Sequence, residues 1–276
     1  MEGAKTLDQD FLHTRLGNTG MAVHRLGLSA SYWPGKRAIY RALDEGVNYF
    51  FHYGFDRQMV GALRDVLKSN REKYVVATGA YNYIWWRQNI RRTLEKRLRR
   101  LGTDYIDVFH FLGVTKSSDF PAQVLDELQA LRDEGRVRAI AISCHDRKFA
   151  GELAARGALD VLMIRYNAAH RGAEQEIFPH LAGHNPGLVS YTATRWSYLL
   201  RRPRGWPKAG RVPTPGLCYR FVLSNPHVHV CLNAPANEKQ LLENLAAVRR
   251  GPLDEEEMQF MRTFGDAVHA RGAWFM

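Results

Sequence analysis

The chain has 276 residues, 45% hydrophobic and 24% charged, with 39 Lys and Arg against 28 Asp and Glu for a formal charge of +11. That size and apolar content bury a sizeable core, which excludes disorder as the main state, and no window approaches the ~20 unbroken apolar residues of a membrane span. The three cysteines, Cys144, Cys218 and Cys231, lie far apart, which excludes a disulfide framework and a CxxC metal or redox motif. The first residues, MEGAKTLDQDFLHTRLG, lack the apolar centre of a secretory signal. The expectation is a soluble, cytoplasmic protein with no membrane partner.

In chain order, TRLGNTGMAV reads as a hairpin around Gly17 and Gly20, suited to plug one end of the fold. Strand-like runs follow at 23–29, 47–51, 73–78, 105–112, 137–143, 160–166, 187–191 and 227–232. Helical patterns separate them. Ile90, Leu94, Leu98 and Leu101 share one face, which leaves Arg91, Arg92, Lys96, Arg97, Arg99 and Arg100 mostly on the solvated one. Val124, Leu128 and Leu131 make a second such face, and Leu241, Leu245 and Val248 a third. Gly46 and Gly135 stand where a helix stops before a strand. A last helix begins at Asp254, with Glu255, Glu256 and Glu257 against its positive end.

Eight strands alternating with helices require parallel neighbours joined by crossovers, and eight such units in this length match a (β/α)8 barrel. The fold class is therefore α/β, a TIM barrel with an N-terminal β-hairpin and an extra C-terminal helix, read as a single domain over 1–276. Helical order among the first arginine cluster argues against a nucleic-acid partner. The loop RRPRGWPKAGR at 201–211 reads instead as a place for a phosphate-bearing small molecule. No HExxH or Cys/His spacing suggests a metal.

The segments TRLGNTGMAVHRLGLS, DEGVNYF, RLGTDYIDVFHF, LRDEGRVRAIAIS, RYN, AEQEIFPHL, GLVSY, RFVLSNP and LLENLAA occur in an order that resembles the aldo-keto reductases. The resemblance implies a barrel that binds NADP(H) and reduces carbonyl groups without a metal, using an Asp, a Tyr, a Lys and a His at strand ends. Carried onto this chain, the Asp position holds Phe51, the Lys position Gly79 and the His position Leu112. Tyr53, before Gly54, matches the Tyr through a shortened loop. The resemblance further implies that Ser143 and Tyr191 meet the nicotinamide and that Glu243 and Asn244 meet the adenine. The neighbouring Asn and Gln positions hold Cys144 and Met163, and the Arg expected at the 2′-phosphate is Gln240.

A phenol ordinarily ionises near pH 10, so a tyrosine acid relies on neighbouring charge. Alternation along a strand puts His110 on the face of Leu112 and Arg165 on the face of Met163. His52, Cys144, His145 and Asn167 fall at strand ends. The sequence thus offers Tyr53, His110 and His52 as acid–base candidates. Arg165 is the anion-binding candidate, and His145, Trp85 and Trp86 complete the substrate candidates, with Tyr81 and Tyr83 extending the aromatic wall. Three functions follow: NAD(P)H-linked carbonyl reduction, a lyase, isomerase or cyclase using Tyr53, His110 and Arg165, or nucleotide binding without catalysis. His110 as a hydrogen-bonded core residue, Arg165 as a bridge between strand carbonyls and Cys144 as a small buried side chain are the structural alternatives.

Overall fold

The structure, a computed structural model, describes residues 10–83 and 86–270. Eight parallel strands close a barrel in the order β10–β3–β4–β5–β6–β7–β8–β9. They are β3 (Leu26–Ser29), β4 (Tyr49–Phe51), β5 (Val75–Tyr81), β6 (Ile106–Val114), β7 (Val137–Cys144), β8 (Val161–Arg165), β9 (Gly187–Tyr191) and β10 (Val230–Asn233). Alternate side chains split between two cores. Tyr49, Val75, Val108, Ala139, Val161, Val189 and Val230 fill the inside, while Phe50, Val76, Phe109, Ile140, Leu162 and Leu188 meet the helices outside.

The hairpin is β1 (His13–Arg15) and β2 (Ala22–His24). Leu16, Met21 and Val23 join the inner core, so the hairpin does plug the barrel. The expected strand 23–29 is two elements. Arg25 turns the chain between β2 and β3, and its guanidinium donates to the carbonyls of Leu223 and Val228.

The helices include α1 (Gly35–Asp44), α2 (Arg57–Leu67), α3 (Ile90–Leu101), α4 (Ala122–Asp133), α5 (Arg147–Ala155) and α6 (Ala173–Glu176), then α7 (Pro215–Leu223), α8 (Glu238–Val248) and α9 (Glu255–His269). Side chains of Asn89, Asp146, Thr214, Asn237 and Asp254 accept from the first turns of α3, α5, α7, α8 and α9, each satisfying an orphan N–H. Gly135 ends α4 at φ 71°, a conformation that costs other residues about 1 kcal/mol. Ile90, Leu94, Leu98 and Leu101 are buried as their spacing predicts. Arg97 departs from the expected solvated face and is only 6% exposed, packed flush against Gly54.

The basic loop 201–211 packs partly on α9. Trp206 Nε1 donates to the carbonyl of Arg211, Arg211 lies over the Phe260 ring, and the depression beside Trp206 is lined by Asp254, Glu255 and Glu256. Carboxylates there oppose a phosphate. No helix among the described residues is long and apolar enough to cross a membrane.

Candidate active site

A cavity of about 500 Å³ opens at the C-terminal ends of the barrel strands. Every strand contributes: Ser29 from β3, Phe51 from β4, Tyr81 from β5, Leu112 from β6, Ser143 from β7, Met163 from β8, Tyr191 from β9 and Leu232 from β10. The inward parity of each strand puts these residues at the mouth, where barrels of this kind build sites from several strands at once.

Tyr53 lies just past β4 and lines the cavity. Its hydroxyl is 2.6 Å from Ser31 Oγ, which is 2.8 Å from Ser29 Oγ, giving a hydroxyl chain into the β3 loop. The Tyr53 backbone N–H donates to Asp56 Oδ1 at 2.9 Å, and Phe51 meets the ring edge-on at 5.2 Å. Stacked or tilted rings run outward from Tyr53 through Tyr81 and Tyr83 to Trp86. Trp85, expected beside them, lies outside the described residues. The exposed large hydrophobic side chains among the described residues are Tyr32, Trp33, Phe55, Tyr83, Trp86, Trp196 and Tyr198. All sit on loops that follow barrel strands, so the apolar surface gathers around this mouth.

Opposite Tyr53, Ser143 Oγ accepts from the Gly113 N–H at 3.0 Å. His145 meets the Tyr191 hydroxyl, with Nε2 at 3.2 Å and Nδ1 at 3.4 Å. Burial, then the Arg165 charge, lowers the His145 pKa and favours the neutral ring. Beyond Tyr191 the backbone takes positive φ at Thr192, Arg195, Trp196 and Ser197, between 50° and 70°. Left-handed backbone in non-glycine residues costs about 1 kcal/mol or more each and concentrates at functional rims.

Two of the acid–base candidates lie outside this cavity. His110 does face inward, between Val108 and Leu112, yet it is fully buried beneath the cavity floor. Its Nδ1 lies 3.2 Å from the Thr78 carbonyl, its ring meets Phe51 edge-on at 5.7 Å, and burial lowers its pKa to about 4. It is therefore a core imidazole held neutral. His52 follows the inward Phe51 and so points outward to α3, where burial and then Arg97 and Arg100 lower its pKa to about 3. Cys144 Sγ donates to the Asp146 carbonyl, and burial pushes the thiol up to about 12, the opposite of a nucleophile. Asn167 is spent on the Ala169 and His170 N–H groups and the Thr192 carbonyl.

Gly79 has no space for a side chain. A Cβ there meets the His110 carbonyl oxygen at 2.3 Å and His110 Cβ at 2.9 Å. Phe51, Leu112 and Met163 instead face the cavity as apolar wall. Glu243 is exposed on α8, 3.9 Å from Lys239, and Asn244 is buried with its amide donating to Asn233 Oδ1 at 3.0 Å. Ser29, Ser31, Tyr32, Thr192, Thr194, Trp196 and Tyr219 also line the cavity and were not singled out by sequence. Position at or just beyond a strand end was the available signal for all but Tyr219, which reaches in from α7.

The aldo/keto reductase family model matches residues 36–205. The chain belongs to that family. It is 25% identical over 280 residues to L-galactose dehydrogenase of Arabidopsis thaliana, covering 84% of this chain and 86% of that one. The solved aldo-keto reductase AKR11C1 of Bacillus halodurans in its holo form superposes with a TM-score of 0.75, at 22% identity, over 92% of this chain and 96% of that one. An aldo/keto reductase of Klebsiella pneumoniae in complex with NADP and acetate gives a TM-score of 0.73 at 20% identity, over 92% and 95%. These two structures support the barrel itself. Among the described residues no cluster of three or more His, Cys, Asp or Glu is placed to hold a metal.

Proposed function

We propose that this aldo/keto reductase family member is an NAD(P)H-linked oxidoreductase that reduces a small carbonyl compound in the cavity, with Tyr53 as proton donor. One observation carries the reading: the Tyr53 hydroxyl, the Ser143 hydroxyl and the Tyr191 ring line a single cavity at the strand ends. The dehydrogenase relative and the NADP-bound neighbour support a nicotinamide cofactor. The residues fit its nicotinamide end, where Ser143 would meet the amide and Tyr191 the ring. At the adenine end Glu243 remains solvated, while the Asn244 amide is spent on Asn233.

A bound nicotinamide supplies the hydride. The chain's own contribution is to hold a proton at Tyr53 Oη and to replace it from solvent through the exposed Ser31 hydroxyl. Phe51 and Asp56 fix the tyrosine, and the aromatic rim sheds water from the mouth. Tyr53→Phe is expected to lower kcat/KM for a responsive aldehyde by about 10²–10⁴-fold, the usual worth of a positioned acid. Unchanged turnover removes Tyr53 from the mechanism.

A second reading is ligand binding without turnover. One observation supports it: among the described residues the lining includes no Lys, Asp or Glu, and His145 is the one imidazole. Titrating NADPH and NADH while following nicotinamide fluorescence separates the two readings. Saturation with turnover of any member of an aldehyde panel supports the reductase, and saturation with none supports the binding protein.

A further inference from the structure

Arg165 closes β8. It shares its inward face with Val161 and Met163, beside its β9 register partner Tyr191. Its Nη1 is buried without a hydrogen-bond partner, and the same is true of His170 Nε2 and Thr192 Oγ1. The charged groups acting on Arg165 are Arg147 and Arg195, and those acting on His170 are Arg165, Arg195, His269 and Arg147. None of these is a carboxylate. The acids on neighbouring segments are already engaged: Glu176 by Arg147, Glu174 by Arg262 and the Tyr166 hydroxyl, and Asp266 by Arg171. A half-buried guanidinium whose charged neighbours are cations is an expensive arrangement unless an anion completes it.

We propose that Arg165, His170 and Thr192 form an oxyanion subsite beside the β8–β9 edge of the cavity, which takes the carboxylate or phosphate end of a small anionic ligand. Thr192, Tyr191 and His145 line the cavity. Arg165 is the register partner of Tyr191, and Asn167, bridged to His170, donates to the Thr192 carbonyl, which brings the three groups to one corner beside it. A guanidinium and two neutral donors match the lone pairs of a carboxylate or phosphate. As an anion site the cluster is independent of hydride transfer. As a substrate subsite it rests on the reductase reading.

The test uses the full chain with inorganic phosphate and pyruvate as probes, followed through the His170 and His145 imidazole signals in NMR. Saturable shifts of His170 in the millimolar range or below, with the His170 pKa rising when the anion is bound, are expected. Arg165→Gln should weaken binding by at least about tenfold, the worth of a charge-assisted hydrogen bond, and Arg165→Lys should recover part of the loss. No saturable shift in the wild-type protein, or unchanged affinity in Arg165→Gln, overturns the subsite. If Arg165→Gln fails to fold, the wild-type His170 titration and the Arg165→Lys affinity still decide. Pyruvate bound together with NADP+ supports the substrate assignment. Displacement of both probes by NADP+ overturns that assignment and gives the anion site to the cofactor's phosphates. Pyruvate binding without any NADP(H) binding leaves the anion site standing while the reductase reading fails.

Discussion

The two walls of the cavity are built from the same barrel and differ in chemistry. On the β4–β6 side the inward positions hold Phe51, Gly79 beside its buried register partner His110, and Leu112, with Tyr53 and Tyr81 the polar groups at the top. On the β7–β9 side Ser143, His145 and Tyr191 bring hydroxyls and an imidazole to the surface, backed by Arg165. The first wall is closed by packing, the second by a hydrogen-bonded pair and an unpaired cation. Apolar contact tolerates no extra atom, whereas donors facing a cavity await a ligand. The proposed reductase reading gives shape selection and proton delivery to one side and polar recognition to the other.

Restoring a lysine on the packed wall is the severest way to break this contrast. Gly79→Lys must put a Cβ 2.3 Å from the His110 carbonyl oxygen, a backbone atom that cannot swing away. Strands β5 and β6 then separate at their Gly79–His110 register pair. The expected result is loss of about 3 kcal/mol or more, or failure to fold, and even Gly79→Ala should lower the urea midpoint. A stable Gly79→Lys protein with wild-type midpoint would show that the wall is looser than its contacts.

The buried imidazole beneath that wall gives a pH signature. The folded pKa of His110 is lowered to about 4, first by burial, against 6.5 for a free ring. Its contribution is present above pH 6.5 and is lost as pH falls through the folded value, because the unfolded chain takes up the proton first. At pH 5 each such ring costs on the order of 2 kcal/mol relative to neutral pH. His24, His52 and His229 have similarly lowered values and add to the same window. His110→Leu should therefore reduce the stability loss between pH 7 and pH 5 by roughly one proton's worth, read from urea midpoints at both values. An identical pH slope in wild type and variant contradicts a neutral His110 in the fold.

Periodicity made the barrel legible: strand and helix faces follow from Phe50 against Phe51, or from Leu94 with Leu98, and each residue lands in the expected core. The boundary at Arg25 was hidden because the apolar run continues through it, and only distant carbonyls explain the turn. Parity along β6 puts His110 inward and one layer below Leu112, and that one layer is enough to bury it beneath the floor and remove it from the cavity. For His52 the same rule was available and points outward, since the preceding Phe51 faces in. Arg97 escaped notice because its buried position depends on Gly54 approaching α3, a contact between segments distant in sequence. The left-handed run around Trp196 carries no glycine to announce it.

The mildest test addresses the polar wall. Tyr191→Phe deletes one hydroxyl, and with it the contact to His145 at 3.2–3.4 Å, while leaving the ring in place. A hydrogen bond at a part-buried site contributes about 1 kcal/mol net, so the midpoint should fall slightly and the fold should persist. His145 keeps the two influences that lower its pKa, burial and Arg165, and the variant should leave its titration below the ordinary histidine range. Nicotinamide fluorescence offers the sharper reading, because a ligand that stacks on the Tyr191 ring needs the ring and not the oxygen. Retained cofactor affinity in Tyr191→Phe with loss in Tyr191→Ala assigns the contact to the face of the ring. Equal losses in both assign it to the hydroxyl and make the β7–β9 wall a hydrogen-bonding surface throughout.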